Sequence, residues 1–365
     1  MPDSTSPPAV AAPADRPNLL GLPAASLAAA IAPWSDRPFR ARQLFDALHR
    51  RRVDRLAAVT DLPESLRAQL ESRFTLALPE VTERRESDDG TVKYLLRLDD
   101  GASIETVDIP ERDRRTLCIS SQAGCGLACA FCVTGYWGSG RNLAAAEIVG
   151  QVRRLQRDAG LPESFNLVFM GMGEPLLNLD ALADALEILS TTLPLRRITV
   201  STAGVVPGID ALAAWPRRPN LALSLHAPDD ERRSEIMPIN RTWPIADLVE
   251  ALARFPLEPR RRITLEYLLL DGFNDRPDDA DALARRFARL PVKFNLIPFN
   301  PDAVLPAWMK RPAPARVEAF RERLERRGAT VTVRRQRGHD VAAACGQLRA
   351  FARSPRGPRS RGAAV

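Results

Sequence analysis

The chain has 365 residues, of which 45% are hydrophobic and 27% charged, the ordinary balance of a globular protein with room for two or three domains. The N-terminus has no basic segment followed by an apolar run, and the apolar stretch 19–33 is short and interrupted by Pro23. We therefore expect neither a secretory signal nor a membrane span, and we predict a cytoplasmic protein.

The net charge of the chain is positive. The 52 lysine and arginine residues outnumber the 45 acidic residues, which gives a formal charge of +7 and favours a polyanionic partner such as nucleic acid. Lysine occurs only at positions 93, 293 and 310, however, so the excess is almost entirely arginine and resembles a compositional bias. Charge alone is therefore a weak argument for RNA, although arginine suits phosphate contacts and base stacking.

The first part of the chain divides into three segments. Residues 1–17 are rich in proline, alanine and serine and are predicted to be a disordered tail. Residues 18–90 are predicted to form a small helical domain, because Phe39, Leu44, Phe45 and Leu48 recur at helical spacing between arginines. Its basic face indicates either an RNA-binding accessory domain or a solvated helix pair. Residues 91–110 are predicted to form a connecting β-hairpin around Asp99-Asp100-Gly101.

From residue 111 onward, predicted strands and helices alternate. The predicted strands are 116–121, 166–170, 197–201, 220–224, 263–269, 293–298 and 330–334, and the predicted helices are 144–158, 179–189, 244–254, 278–290 and 313–327. Such alternation is typical of βαβ units and a parallel sheet. About six units predict an α/β partial (β/α)6 barrel over residues 111–352, whose functional residues follow the carboxyl ends of the strands. Residues 353–365 are predicted to be a disordered basic tail.

Three cysteines, Cys125, Cys129 and Cys132, have the spacing C-x3-C-x2-C. Thiolates are the usual ligands of iron–sulfur clusters, and three of them leave one iron of a [4Fe-4S] cube open. This spacing resembles that of radical S-adenosylmethionine (SAM) enzymes, in which the open iron binds SAM. The alternative is a structural zinc site, which requires four ligands. No fourth cysteine or histidine follows nearby, so the sequence favours one [4Fe-4S] cluster with SAM as the second cofactor.

Polar residues follow several predicted strands and are candidates for binding SAM. Gly173 and Glu174 belong to a Gly-Met-Gly-Glu-Pro segment after the strand 166–170, where glycine permits close approach of a ligand and a carboxylate can bind an ammonium group. An ordinary strand-to-helix turn is the alternative interpretation. The other candidates at strand ends are Ser201, Ser224, Leu225, His226 and Asn300.

Two further cysteines, Cys118 and Cys345, lie outside the three-cysteine loop. Both could be buried small hydrophobic residues, which is common for cysteine. Cys345, however, stands between Gly338 and Gly346 in a polar segment after the last predicted strand. This position favours an accessible thiol.

A set of motifs in this order resembles the RlmN/Cfr family of radical SAM RNA adenosine methyltransferases, over residues 18 to about 351. Besides the cysteine loop, they are Phe39-Arg-Ala-Arg-Gln-Leu44, Ile104-Glu-Thr-Val107, Thr116-Leu-Cys-Ile-Ser-Ser-Gln122, Arg141-Asn-Leu143, Met170-Gly-Met-Gly-Glu-Pro175, Ser201-Thr-Ala-Gly-Val-Val-Pro207, Leu223-Ser-Leu-His-Ala227, Met237-Pro-Ile-Asn240 and Ala344-Cys-Gly-Gln-Leu348. One position departs from the family pattern: Ser139 replaces the aromatic residue of Gly-Phe-x-Arg-Asn-Leu.

The resemblance implies a role for each cysteine and for one carboxylate. Cys345 would accept a methyl group from one SAM and carry it as S-methylcysteine, in a methyl-carrier loop at the end of the barrel domain. A 5′-deoxyadenosyl radical from a second SAM would take hydrogen from that methyl group, and the resulting methylene radical would add to the adenine. Glu105 would accept the proton from the ring, and Cys118 would release the product and leave a Cys118–Cys345 disulfide for reduction.

The implied function is methylation of C2 of an adenosine in 23S rRNA, with an adenosine in tRNA left open as a further substrate. C2 is an electron-poor carbon that cannot attack a SAM methyl group directly, which explains a radical route. The implied enzyme is a monomer that receives electrons from a donor such as flavodoxin or ferredoxin. The alternatives are methylation at C8, a radical SAM enzyme with a non-RNA substrate, and an RNA-binding protein with structural zinc.

Overall fold

The computed structural model describes residues 16–35, 37–112, 114–335, 337–338, 340–343 and 346–348. Most of the predicted N-terminal tail, the predicted tail 353–365 and Cys345 lie outside the described residues. The two described residues of the N-terminal tail contact the helical part that follows. Arg16 Nη1 donates to the carbonyl of Glu71 at 2.7 Å, and the carbonyl of Pro17 accepts from the backbone N–H of Thr75 at 3.0 Å.

A helical region comes first in the described chain. Its α-helices are α1 (Ala24–Ile31), α2 (Pro38–His49) and α3 (Glu64–Arg73). Leu44, Phe45 and Leu48 are buried, as their helical spacing predicts. Phe39 is exposed, because it lies in the first turn of α2 outside the buried face, and the guanidinium of Arg40 lies over its ring.

A ten-stranded mixed sheet, with its strands in chain order, follows the helical region. The strands are β1 (Glu80–Glu86), β2 (Val92–Arg97), β3 (Ser103–Glu111), β4 (Arg114–Cys118), β5 (Asn166–Phe169), β6 (Ile198–Thr202), β7 (Asn220–Ser224), β8 (Ile263–Leu269), β9 (Val292–Pro298) and β10 (Val331–Val333). Neighbouring strands pair antiparallel from β1 to β4 and parallel from β4 to β10. The sheet is not closed, so the architecture is a partial barrel, as predicted.

The sequence predicts most of these strands but not β1. The predicted hairpin corresponds to β2 and β3, and it continues directly into the parallel strands because Val107 of β3 pairs with Cys118 of β4. The sequence of β1, Glu-Val-Thr-Glu-Arg-Arg-Glu, is polar on both faces and shows no alternation. Its strand conformation follows from pairing with β2, which the local pattern cannot reveal.

Helices connect the parallel strands and cover the sheet. They are α4 (Val133–Tyr136), α5 (Ala145–Asp158), α6 (Leu179–Leu189), α7 (Val206–Ala214), α8 (Asp230–Ile236), α9 (Ile245–Arg254), α10 (Pro277–Phe287) and α11 (Pro314–Arg326). In α5, for example, Ile148, Val152 and Leu155 are buried at helical spacing, and Glu147 caps the N-terminus by accepting from the backbone N–H of Ala144 at 2.8 Å. Among the described residues, no helix is long and apolar enough to span a bilayer.

Candidate functional site

The three-cysteine loop joins β4 to α4 at the edge of the sheet where the parallel strands end. Two backbone segments, at Ala123 and at Gly140, cross in close contact where the loop closes. A Cβ on Gly140 would lie only 1.4 Å from the carbonyl oxygen of Ala123. Only glycine fits at such a crossing. The backbone N–H of Cys125 donates to the carbonyl of Gly138 at 3.1 Å, which holds the start of the loop against the same crossing.

The three thiols share one electrostatic environment. The pKa of Cys125 is raised to about 12, mainly by burial and to a lesser extent by the charges of Cys132 and Glu174. Burial also raises the pKa of Cys129 well above its ordinary value, and the charges of Cys132 and Cys125 add to the effect. Thiolates can therefore form here only beside compensating positive charge, which a bound metal cluster provides. In the described part of the chain, no three His, Cys, Asp or Glu side chains already surround a single-ion site.

The Gly-Met-Gly-Glu segment after β5 lies against the residues that lead into the cysteine loop. A Cβ on Gly173, whose φ is +98°, would lie 2.5 Å from Gln122 Cβ, so this contact requires glycine. Gln122 Oε1 accepts from the backbone N–H of Glu174 at 2.8 Å. Glu174 is buried, and its carboxylate accepts from the backbone N–H groups of Leu176 at 3.1 Å and Ala203 at 2.7 Å. Burial raises the pKa of Glu174 to about 7.

His226 is held in an unusual backbone conformation just beyond β7. Its φ is +59°, in the left-handed region that non-glycine residues rarely adopt. Asn274 Nδ2 donates to the carbonyl of His226 at 2.7 Å, and His226 Nδ1 accepts from the backbone N–H of Leu268 at 3.0 Å. Burial lowers the pKa of His226 to about 3, so the ring is neutral with its proton on Nε2. The ring packs edge-on against Phe131 of the cysteine loop, with 4.7 Å between centroids.

The other predicted SAM-binding residues lie at the same edge of the sheet. Ser201 is the second-last residue of β6, and Ser224 is the last residue of the neighbouring strand β7. Leu225 donates its backbone N–H to the carbonyl of Glu266 at 3.0 Å. Asn300 is buried after β9, two strands from Ser224, and its Oδ1 accepts from Arg311 Nη1 at 3.1 Å. The cysteine loop, Glu174 and His226 are brought together directly, whereas Asn300 is farther along the edge.

Glu105 forms a buried ion pair that the sequence pattern does not reveal. Lys93 Nζ lies 3.1 Å from Glu105 Oε1, and the two side chains are 3% and 1% exposed. Lys93 is the register partner of Val107, so Lys93 and Glu105 are diagonal neighbours across β2 and β3. Cys118 is buried on the next strand. Lysine is scarce in this arginine-rich chain, and that scarcity is the feature of the sequence that could have indicated a special role for Lys93.

Cys345 lies outside the described residues, but residues on both sides of it contact the site. The carbonyl of Gly346 accepts from the backbone N–H of Val133 at 2.7 Å, and the carbonyl of Leu348 accepts from Thr134 Oγ1 at 2.8 Å. On the other side, Lys93 Nζ donates to the carbonyl of Ala342 at 3.2 Å. The described residues that flank Cys345 therefore contact Lys93 on one side and the helix that follows the cysteine loop on the other. No disulfide joins two of the four described cysteines.

Arg233 of α8 is a second buried charge that the sequence pattern does not reveal, because the sequence Arg232-Arg233 is typical of a solvated helix. The side chain is fully buried. Its guanidinium donates from Nε to the carbonyl of Leu225 at 3.0 Å and from Nη1 to Asn240 Oδ1 at 2.8 Å. Nη2 donates to the carbonyls of Ala203 at 2.6 Å and Ser224 at 3.0 Å. Burial lowers the pKa of Arg233 to about 10.

An open α/β sheet with a three-cysteine loop after β4, the first of its parallel strands, is the architecture of a radical SAM protein. Consistently, the model of the radical SAM superfamily matches residues 119–284. A second family model, that of the ribosomal RNA large subunit methyltransferase N-terminal domain, matches residues 17–76, which contain α1 to α3.

Similar proteins match nearly the whole chain. A dual-specificity RNA methyltransferase RlmN from Anaeromyxobacter dehalogenans (strain 2CP-C) is 45% identical over 362 residues, which cover 96% of each chain. Another from Geobacter sulfurreducens is 49% identical over 317 residues, covering 85% of this chain and 86% of that one. The crystal structure of a radical SAM methyltransferase from Sphaerobacter thermophilus matches with a TM-score of 0.85 and 43% identity, covering 92% of this chain and 99% of that one. The chain belongs to the RlmN family of radical SAM methyltransferases.

Proposed function

We propose that the chain methylates C2 of an adenosine in 23S rRNA, with an adenosine in tRNA as a second substrate, by a radical SAM mechanism with Cys345 as methyl carrier. The observation that carries the proposal is the convergence of the cysteine loop, the Glu174 segment and the described neighbours of Cys345 at one edge of the sheet. The relatives' printed name, dual-specificity RNA methyltransferase, supports an RNA substrate and more than one target.

The residues at this edge fit the two proposed cofactors. Cys125, Cys129 and Cys132 would hold one [4Fe-4S] cluster, because three neighbouring thiols need a source of positive charge to ionise together. When bound, the cluster would supply the electron for radical chemistry on SAM. SAM would be bound by residues at the strand ends, namely Gly173, Glu174, Ser201, Ser224, Leu225, His226 and Asn300.

The hydrogen bonds that Glu174 and His226 already make determine which groups of SAM each could bind. Each carboxylate oxygen of Glu174 already accepts one backbone N–H, which fixes the carboxylate and leaves further lone pairs for the ammonium of SAM. His226 accepts through Nδ1 and therefore offers Nε2–H as a donor. A neutral imidazole can donate to an oxygen or a ring nitrogen of SAM without adding charge beside the cluster.

The residues around the carrier segment would guide the methyl group and the proton. Glu105 would accept the proton that leaves C2, and Lys93, 3.1 Å away, would orient the carboxylate and balance its charge. Lys93 also binds the carbonyl of Ala342, three residues before Cys345, so one ammonium connects the proton acceptor to the carrier segment. The thiolate of Cys118 would attack the sulfur of Cys345 and break its bond to the transferred carbon, which takes up a proton to complete the methyl group on the adenine. The resulting Cys118–Cys345 disulfide would be reduced before the next turnover.

The helical region offers a surface for RNA. Arg37, Arg42, Arg50 and Arg51 are exposed on or beside α2. Arg37 and Arg42 are close in sequence to Phe39, whose ring is exposed, and Arg50 and Arg51 follow the other end of the helix. Arginine can pair with phosphates, and an exposed aromatic ring can stack on an unpaired base. The target adenine would leave its stack to reach the strand ends, at a cost of about a few kcal/mol. We place the enzyme in the cytoplasm as a monomer, with flavodoxin or ferredoxin as electron donor.

Nucleoside mass spectrometry tests this function. The anaerobically reconstituted protein is incubated with SAM, a reductant and unmodified 23S rRNA or tRNA, and the digested RNA is compared with standards methylated at C2 and at C8. We expect 2-methyladenosine in both RNAs and none with the C345A or C125A variants. Product methylated at C8 would replace the regiochemistry we propose. Methylation that persists in C345A would refute the carrier mechanism, and RNA without methyladenosine would refute the function.

A further inference from the structure

Arg233 is a buried cation without a carboxylate partner in the described part of the chain. All four of its hydrogen-bond acceptors are uncharged: three backbone carbonyls and the side-chain oxygen of Asn240. Asp230 is the carboxylate whose charge acts on Arg233, but its Oδ1 accepts from Asn240 Nδ2 at 3.0 Å and from the backbone N–H of Ile245 at 2.8 Å. Buried charges are usually paired, because an isolated one loses its hydration without compensation.

Helix α8, which carries Arg233, contacts the cysteine loop. Ala130 of the loop donates its backbone N–H to the carbonyl of Ile236, the last residue of α8, at 2.9 Å. On its other side, the guanidinium of Arg233 donates to the carbonyls of Ala203 and Ser224, which lie at the ends of β6 and β7. Arg233 therefore lies on the helix that connects the cysteine loop to these strand ends.

Hydrogen bonds and close packing fix the position of the Arg233 guanidinium. Its acceptors come from the ends of two strands, at Ala203, Ser224 and Leu225, and from the turn that contains Asn240. A Cβ on Gly204 would lie 3.4 Å from Arg233 Nη2, so even the backbone beside the guanidinium is close-packed. Four hydrogen bonds and full burial fix the position of the charge and exclude water from it.

We propose that Arg233 is the built-in counter-ion of the iron–sulfur cluster and raises its reduction potential. The proposal rests on the cluster in the proposed function. A cluster bound by thiolates becomes more negative when it accepts an electron, so a fixed positive charge nearby stabilises the reduced form. Arg233 is a positioning and electrostatic residue, and its three carbonyl contacts also hold the strand ends where SAM would bind.

Reduction potentials of variants test the proposal. The cluster of the wild type and of the R233Q and R233K variants is titrated with a reductant under anaerobic conditions and followed by electron paramagnetic resonance. We expect R233Q to lower the midpoint potential by at least about 59 mV, a tenfold change in a one-electron equilibrium. R233K keeps the charge and loses part of the hydrogen bonding, so its midpoint should stay within half of that shift.

Two controls separate charge from structure. R232Q removes the neighbouring charge, which is paired with Asp229 and Asp279, and should leave the midpoint unchanged. N240A removes one acceptor of Arg233 and keeps its charge, so the melting temperature should fall while the midpoint stays. An unchanged midpoint in R233Q would overturn the proposal, as would equal shifts in R233K, N240A and R233Q, which would show that Arg233 acts only as a structural clamp.

The experiment remains decisive if R233Q does not fold. R233K and N240A are then compared: a lower melting temperature with a wild-type midpoint in both supports the counter-ion, and midpoints that fall with stability overturn it. Iron and sulfide in the wild type are measured first. If the wild type assembles no cluster, the proposed function and this proposal fail together. If it does and R233Q has the wild-type midpoint, only the assignment of Arg233 fails.

Discussion

Replacing Lys93 with methionine should strongly destabilise the protein, because it leaves Glu105 buried beside an uncharged side chain. The Glu105 side chain is 1% exposed, and Lys93 Nζ lies 3.1 Å from its carboxylate. Removing one partner of such a buried pair costs about 3–5 kcal/mol. The folding equilibrium should therefore fall by about two to three and a half powers of ten.

Urea unfolding of the cluster-free protein, followed by far-ultraviolet circular dichroism, measures this loss. R97M is the matched control. Arg97 lies on the same strand and pairs with Glu80 of β1, but those side chains are 53% and 60% exposed. An exposed pair contributes about 0–1 kcal/mol. The double variant K93M/E105Q, which leaves no unpaired charge, should be more stable than K93M. A loss in K93M no larger than in R97M would refute the buried ion pair and the role we give Lys93 in orienting Glu105.

Three further predictions follow from the site and the helical region. Each of C125S, C129S and C132S should lose iron, sulfide and visible absorbance after anaerobic reconstitution, whereas C118S should keep them; a C129S protein with full iron content would contradict the ligand assignment. N274A should weaken SAM binding in equilibrium dialysis, because it removes the donor to the carbonyl of His226. A buried group that loses its hydrogen bond costs about 1–3 kcal/mol. N220A is the control: it removes hydrogen bonds at the opposite end of β7 and should leave SAM binding unchanged. Burial lowers the pKa of His49 from 6.5 to about 3. Below pH 6.5 the unfolded chain therefore binds more protons than the folded chain does. The contribution of His49 to stability is complete above that pH and falls by about 1.4 kcal/mol for each pH unit below it. H49L should lower the pH dependence of the urea midpoint between about pH 7 and about pH 5, and an unchanged dependence would contradict this reading.

The parallel part of the fold could be predicted from sequence because its signals are local. Buried apolar strands such as β7 alternate with amphipathic helices such as α5, and glycines or polar residues end the strands. Parallel strands bring their carboxyl ends to one edge, so Glu174 and His226 could be expected near the cysteine loop without coordinates. β1 could not be predicted, because its polar sequence becomes a strand only through pairing with β2.

The buried positions of Lys93 and Arg233 could not be predicted, for a related reason. Lys93 meets Glu105 only when the hairpin register makes them diagonal neighbours. Arg233 binds backbone carbonyls from separate strand ends. Every residue has such a carbonyl, so the residue types in the sequence do not indicate these partners. Both charges depend on tertiary structure for their partners, whereas the cysteines are recognisable from spacing alone.

Isotope transfer through Cys345 tests the central claim most directly. The reconstituted protein is first incubated with SAM that carries a trideuterated methyl group, then freed of SAM, and finally given unlabelled SAM, reductant and RNA for a single turnover. If Cys345 carries the methyl group, the first 2-methyladenosine should contain two deuterium atoms, and 5′-deoxyadenosine should contain the third. Unlabelled methyl groups in the first product would show direct transfer from SAM to RNA and would contradict the account.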